Sequence, residues 1–175
     1  GTFLLMNIGW GSYFSFISMF LLHRFHYSSL FVSLFLTVMG AGFSVGCGFL
    51  VDKLSQRYNK QRLVGTCYLV AGIAAITTYF LVQPQWAVWL CGFIIGCVMA
   101  TCYSVHLVLF SSQVSANEQG WVMGVTGAIV ALCFGLCALF IGVIATIGAD
   151  LPMLFAGIVF LFAGVSVPLV SLVKK

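Results

Sequence analysis

The stretch Gly48–Arg62, "GFLVDKLSQRYNKQR", lies between two long apolar runs and gathers Lys53, Arg57, Lys60 and Arg62 around one acid, Asp52. It holds four of the seven basic residues in a chain whose residues are 62% hydrophobic and only 6% charged. A soluble domain needs about a quarter of its residues charged to cover its surface. The chain is therefore an integral membrane protein, and Gly48–Arg62 reads as a loop between two spans.

A helix crosses a bilayer with about 20 apolar residues. Working outward from the loop, six runs meet that length: about 3–22, 30–51, 63–82, 86–110, 120–146 and 153–173. None shows the period-two alternation of a membrane strand, so the expected fold is an all-α membrane domain of six helices over residues 1–175. The first run lacks a basic leader and a small-residue cleavage site, so no cleavable signal is expected. The chain opens on Gly1 where an initiating Met would stand, and we expect a longer polypeptide.

Six spans put both termini on one side of the membrane. That side gathers Lys53, Arg57, Lys60, Arg62, Lys174 and Lys175, and the other has only Arg24 between His23 and His26. Short basic loops stay in the cytoplasm, so both termini and the 48–62 loop are expected there, in a cell (inner) membrane. Trp86, Trp89, Tyr27 and Tyr79 then fall at the outer interface and Trp121 at the inner one; Trp10 falls mid-span.

Cys47, Cys67, Cys91, Cys97, Cys102, Cys133 and Cys137 all sit within spans, without CxxC or metal-ligand spacing. They read as small apolar residues, and no metal or cofactor is expected. No GK[ST] phosphate loop occurs, and topology accounts for the basic loop, so nucleotide and nucleic-acid binding are not indicated.

Helices in lipid approach closely through small residues. Gly40, Ser44 and Gly48 form such a face on the second span, and Gly92, Gly96, Ala100 and Ser104 on the fourth. Gly120, Gly124, Gly127, Ala131, Gly135, Ala138 and Gly142 make a nearly continuous one on the fifth. Each triplet of spans has its richest glycine stripe in its middle helix. Triplets entering from opposite sides are the inverted repeats of many transporters.

Asp52 sits at a helix C-terminus, where the macrodipole disfavours a carboxylate, so it calls for a partner: Lys53, Arg57 or another helix's N-terminus. Here the loop resembles the signature G-x-L-x-D-[RK]-x-G-[RK]-[RK] of the major facilitator superfamily, between the second and third helices of a six-helix half. Gly48, Leu50, Asp52, Lys53 and Arg57 match, while Ser55 replaces the family's glycine. "SSQVSANEQGWVMGVTGAIVALCFG", Ser111–Gly135, is similar to the entry of the eleventh helix in bacterial drug:proton antiporters of the tetracycline-efflux type. The family's late Gly-Pro is absent; Ala138-Leu139-Phe140 stands there. These resemblances imply a 3+3 inverted-repeat bundle, the C-terminal half of a secondary transporter whose N-terminal half is its partner. They also imply that Gly48, Asp52, Lys53 and Arg57 form a gating loop, with Asp52 latching onto the other half.

By the same resemblance the first and fourth helices line the substrate cavity. Asn7, Trp10, Phe14 and Ser18 share one face of the first, and Met99, Tyr103 and His106 one face of the fourth. Such a lining suits amphipathic or cationic organic molecules. Histidine as a residue type titrates near neutral pH, so His106, an ionisable side chain within a span, is a candidate for proton or substrate contact. Asp52, Glu118 and Asp150 all lie at span ends, so a coupling acid for proton-driven efflux belongs to the other half. Uptake or export of a nutrient or siderophore is the alternative within the class. Outside it, "GFSVG", Gly42–Gly46, fits a serine-nucleophile pattern, with Ser44 and His106 about 6 Å apart in depth by helix rise, as in an intramembrane serine protease.

Overall fold

The computed structural model describes residues 1–81 and 84–173, with side chains as far as 167; Lys174 and Lys175 lie outside the described residues. Six helices follow one another: α1 Thr2–Phe25, α2 Ser29–Arg57, α3 Lys60–Phe80, α4 Gln85–Ser111, α5 Gln119–Ile147 and α6 Leu151–Val173. No strand occurs among the described residues. Helices α1 to α5 are each long and apolar enough to cross a membrane; the side chains of α6 are described over the shorter apolar stretch Leu151–Val167.

Two helices outrun their apolar cores. α1 continues through Arg24 and closes at His26, whose φ of 53° supplies the left-handed cap. α2 runs past residue 51 to Arg57, because Val51–Arg57 contains no glycine or proline to stop it. Asp52 thus stands on a helix that carries on beyond it. Hydropathy marks where the bilayer ends, and the helix ends where capping begins: Asn59 caps α3 by accepting from the Gln61 amide at 2.9 Å. Within α2, Gly46–Leu50 forms a π-helical turn, one extra residue that re-aims the Asp52 segment.

The packing obeys an inverted repeat. α2 lies on α4 as α5 lies on α1, α4 touches α3 as α1 touches α6, and α3 packs on α6 across the pseudo-twofold. Exchanging the first three helices with the last three therefore reproduces the contact pattern. The α3–α6 seam repeats the symmetry in sequence. Gly65 and Gly72 face α6, and Gly157 and Gly164 face α3, so a methyl group at Gly72 would lie 2.8 Å from the Leu161 side chain.

Glycines also set the α2–α4 seam, on a different face from the one expected. A Cβ at Gly42 would strike the Phe93 carbonyl, one at Gly46 the Cys97 carbonyl, and one at Gly96 the Met39 carbonyl. Gly40 and Gly48 instead open on space, and the Ser44 hydroxyl donates to its own Gly40 carbonyl at 3.1 Å. The α4 stripe packs as its spacing predicted, through Gly92, Gly96 and Ala100.

α5 requires a further correction. Gly120, Gly124 and Gly127, like Gly135 and Gly142, meet nothing within 4 Å of an added Cβ, so they are not packing positions inside this bundle. α5 turns another face inward, made of Thr126, Cys133, Cys137 and Ile141. Cys137 Sγ donates to the Ile8 carbonyl at 3.4 Å and receives Ser12 Oγ at 3.7 Å. Volume rather than reactivity gives these thiols their place, and all seven cysteines are free. Among α1 to α5, α2 and α5 are the least buried, with 22% and 17% of their most apolar windows covered against 50% or more for α1, α3 and α4.

Candidate substrate pocket

A pocket of about 170 Å³ opens near mid-bundle between α1, α2, α4 and α5. Met6, Asn7 and Trp10 line it from α1, Met99 and Tyr103 from α4, Phe43 from α2, and Val130 and Phe134 from α5. The one-sided spacing of Asn7 and Trp10 brings them to a common wall, and Tyr103 faces them as expected. Asn7 is buried, and its Nδ2 donates to the Phe3 carbonyl at 2.8 Å. A carbonyl only accepts, which fixes the amide orientation and turns Oδ1 the other way. No described side chain donates to that oxygen. The indole of Trp10 stacks on Tyr13, with centroids 6.2 Å apart and planes 12° apart, so its ring is held in place.

Phe14 is outside the pocket. It is 45% exposed on the α1 surface and meets Trp10 at 5.5 Å and Phe134 at 6.5 Å between centroids, supporting the lining from behind. Phe43 and Phe134 were not among the expected lining residues. They come from the middle helices of the two triplets, at nearly the same depth, and only the repeat symmetry could have pointed to them.

His106 lies elsewhere. It is 4% exposed, with Nδ1 3.0 Å from the Cys102 carbonyl and Nε2 3.3 Å from the Tyr68 hydroxyl. It borders a second cavity of about 160 Å³, lined also by Thr2, Gln61, Val64, Phe110 and Gln113, at the end of the bundle that carries the 48–62 loop. The ring of Phe3 stands between the two sites, 5.4 Å from His106 and 6.3 Å from Tyr103. His106 is thus a neighbour of the central pocket and not part of its wall. Ser44 is exposed on α2 and makes no contact with it, so the protease dyad is not assembled.

The loop residues Gly48, Asp52, Lys53 and Arg57 are all exposed, and among the described residues no side chain pairs with the Asp52 carboxylate. The expected local pair with Lys53 or Arg57 is not formed. The described ion pairs lie at the opposite end, where Asp150 meets Arg24 at 3.4 Å and His23 at 3.6 Å, tying the α5–α6 connection to the end of α1. Trp89 Nε1 donates to the Tyr27 hydroxyl at 3.0 Å at that same end. On the α4–α5 connection, the Ser115 hydroxyl and amide donate to Glu118 at 2.8 and 3.1 Å and hold its carboxyl below the usual carboxylate range.

Inverted triplets of membrane helices around a polar and aromatic pocket define the half-bundle of a membrane transporter. The match to known families says which: the model of the Major Facilitator Superfamily covers residues 1–175, and the chain belongs to that superfamily. No curated protein and no solved structure gives a significant match to it.

Proposed function

We propose that the chain is the C-terminal half of a secondary transporter that exports drugs or small metabolites, driven by protons. The central pocket carries this reading. At about 170 Å³ it is smaller than the roughly 300–1,000 Å³ that a drug-sized ligand fills, so it serves as one wall of a site that an N-terminal half completes. Aromatic faces at Trp10 and Tyr103, the Met99 thioether and the free acceptor at Asn7 suit a flat, amphipathic molecule carrying a donor or a positive charge. No described acid reaches this wall, so the partner half supplies the coupling carboxylate.

The basic end of the bundle lies in the cytoplasm by the positive-inside rule, with both termini there and the bundle in the cell (inner) membrane. The exposed faces of α2 and α5, including Gly120, Gly124 and Gly127, then offer the surfaces on which the partner half sits and rocks. The exposed, unpaired Asp52 suits a latch to that half. Its placement just after the π turn favours this reading over a simple topology anchor. The test is uptake of a lipophilic cationic dye into inside-out vesicles containing the whole gene product. Proton-driven dye movement that collapses with an uncoupler and with Trp10→Ala supports the proposal; movement insensitive to both overturns it.

A further inference from the structure

The hydrogen bonds around His106 contain a proton count that decides how they are used. The Tyr68 hydroxyl lies 3.1 Å from the Thr2 carbonyl and 3.3 Å from His106 Nε2, and His106 Nδ1 lies 3.0 Å from the Cys102 carbonyl. The two carbonyls at the ends only accept. Three links therefore need three protons. A neutral imidazole and a phenol together supply two, and an imidazolium and a phenol supply three. The Cys102 carbonyl, at 3.0 Å against 3.7 Å for the Cys102 thiol, selects the tautomer in which Nδ1 is the donor. The one proton that has a choice is that of Tyr68.

We propose that protonation of His106 switches the Tyr68 hydroxyl between two partners and so makes or releases a tie between α3 and the first turn of α1. With the imidazole neutral, Nε2 is an acceptor, Tyr68 donates to it, and the Thr2 carbonyl keeps only its helical bond. When a hydronium ion gives its proton to the Nε2 lone pair and leaves as water, Nε2 becomes a donor to the Tyr68 oxygen. The phenolic proton then turns to Thr2, and α1, α3 and α4 are joined in one chain. Nothing is oxidised: one O–H bond of the hydronium ion breaks and one N–H bond forms.

The surroundings suit this role. The cavity beside His106 reaches the exposed Gln61 and Gln113 at the basic end of the bundle, which gives the proton a route. The ionisable groups facing the ring are few: Tyr68 on α3 with Cys67 beside it, and Cys102 on its own helix with Sγ 3.7 Å from Nδ1. α6 contributes Val167 to the cavity. No described carboxylate, lysine or arginine bonds to the ring. The tie lies one to two turns from the pocket wall, because Thr2 precedes Phe3, and the Phe3 carbonyl holds Asn7. A proton bound here therefore reaches the pocket through α1. The switch works in the same way whatever solute the pocket takes.

The sequence offers a clean probe, since Thr2-Phe3 is the only Thr-Phe step in the chain. Carbonyl-¹³C threonine combined with ¹⁵N phenylalanine isolates the Thr2 carbonyl signal in solid-state NMR of the full chain in lipid nanodiscs. ¹⁵N histidine in a His23→Gln, His26→Gln background reports the His106 ring alone. The expected result is an Nδ1–H tautomer at high pH, both nitrogens protonated at low pH, and a Thr2 carbonyl shift that follows the ring titration point for point. Tyr68→Phe should leave the ring titrating and freeze the carbonyl shift; His106→Gln should freeze it as well. A carbonyl shift that ignores the titration in the unmutated ring, or that persists in Tyr68→Phe, overturns the proposal. So does a ring that stays neutral throughout the pH range in which the chain is folded.

Discussion

Gly96→Ala and Gly124→Ala make the same chemical change on two membrane helices, and the fold predicts opposite outcomes. At Gly96 the new methyl group would be driven into the Met39 carbonyl and lie 3.1 Å from the Phe43 nitrogen, so α2 and α4 must part along a seam that Gly42 and Gly46 also close. Overpacking of this kind costs about 1–3 kcal/mol, against a gain of up to about 1 kcal/mol from replacing glycine within a helix. The net expectation is a loss of about 1–2 kcal/mol, a roughly tenfold shift in the unfolding equilibrium. At Gly124 nothing lies within 4 Å of the methyl group, and the helical gain of up to about 1 kcal/mol is unopposed. Reversible unfolding of the chain in mixed detergent micelles, followed by circular dichroism, compares the two directly. Equal destabilisation by both substitutions would refute the assignment of the packed and open faces. So would a neutral Gly96→Ala.

Other outcomes follow from the same geometry. Trp10→Ala and Tyr103→Ala should each weaken dye binding about tenfold or more, while Phe14→Ala, behind the wall, should have a smaller effect; equilibrium titration of tryptophan or dye fluorescence measures it. Asp52→Asn should leave the stability of the chain within about 0.5 kcal/mol and reduce transport by the whole protein, which separates a latch from a structural ion pair. Because Ser115 depresses the Glu118 carboxyl, the order this pairing gives the α4–α5 connection is present above the unfolded pKa and lost as pH falls through the folded one. Carbon NMR of Glu118 should show a midpoint below that of free glutamate, returning toward it in Ser115→Ala.

Much of the fold was written in composition. The lengths of the apolar runs gave six spans, and their number gave a topology in which Arg24 and Asp150 meet at one end and the basic loop lies at the other. The pocket was partly legible, since Asn7 and Trp10 share a helical face and Tyr103 belongs to a helix of equivalent place in the second triplet. The contributions of α2 and α5 were not, because Phe43 and Phe134 look like any lipid-facing phenylalanine until the neighbouring helix is known. Glycine stripes misled for the same reason. Spacing shows that Gly40, Ser44 and Gly48 share a face, but only packing shows that α4 presses on Gly42 and Gly46 instead. Depth along a helix also failed to distinguish a pocket residue from its neighbour: His106 is one turn from Tyr103 and turns to Tyr68.

The central claim is that this bundle forms one wall of a passage that opens to each side of the membrane in turn. Labelling of Met99→Cys by a membrane-impermeant thiol reagent tests it, using the whole gene product with its native cysteines replaced by alanine, in right-side-out and inside-out vesicles. The account predicts reaction from both sides, with substrate or a pH gradient shifting the ratio between them. Reaction from one side alone, unmoved by either, would contradict it.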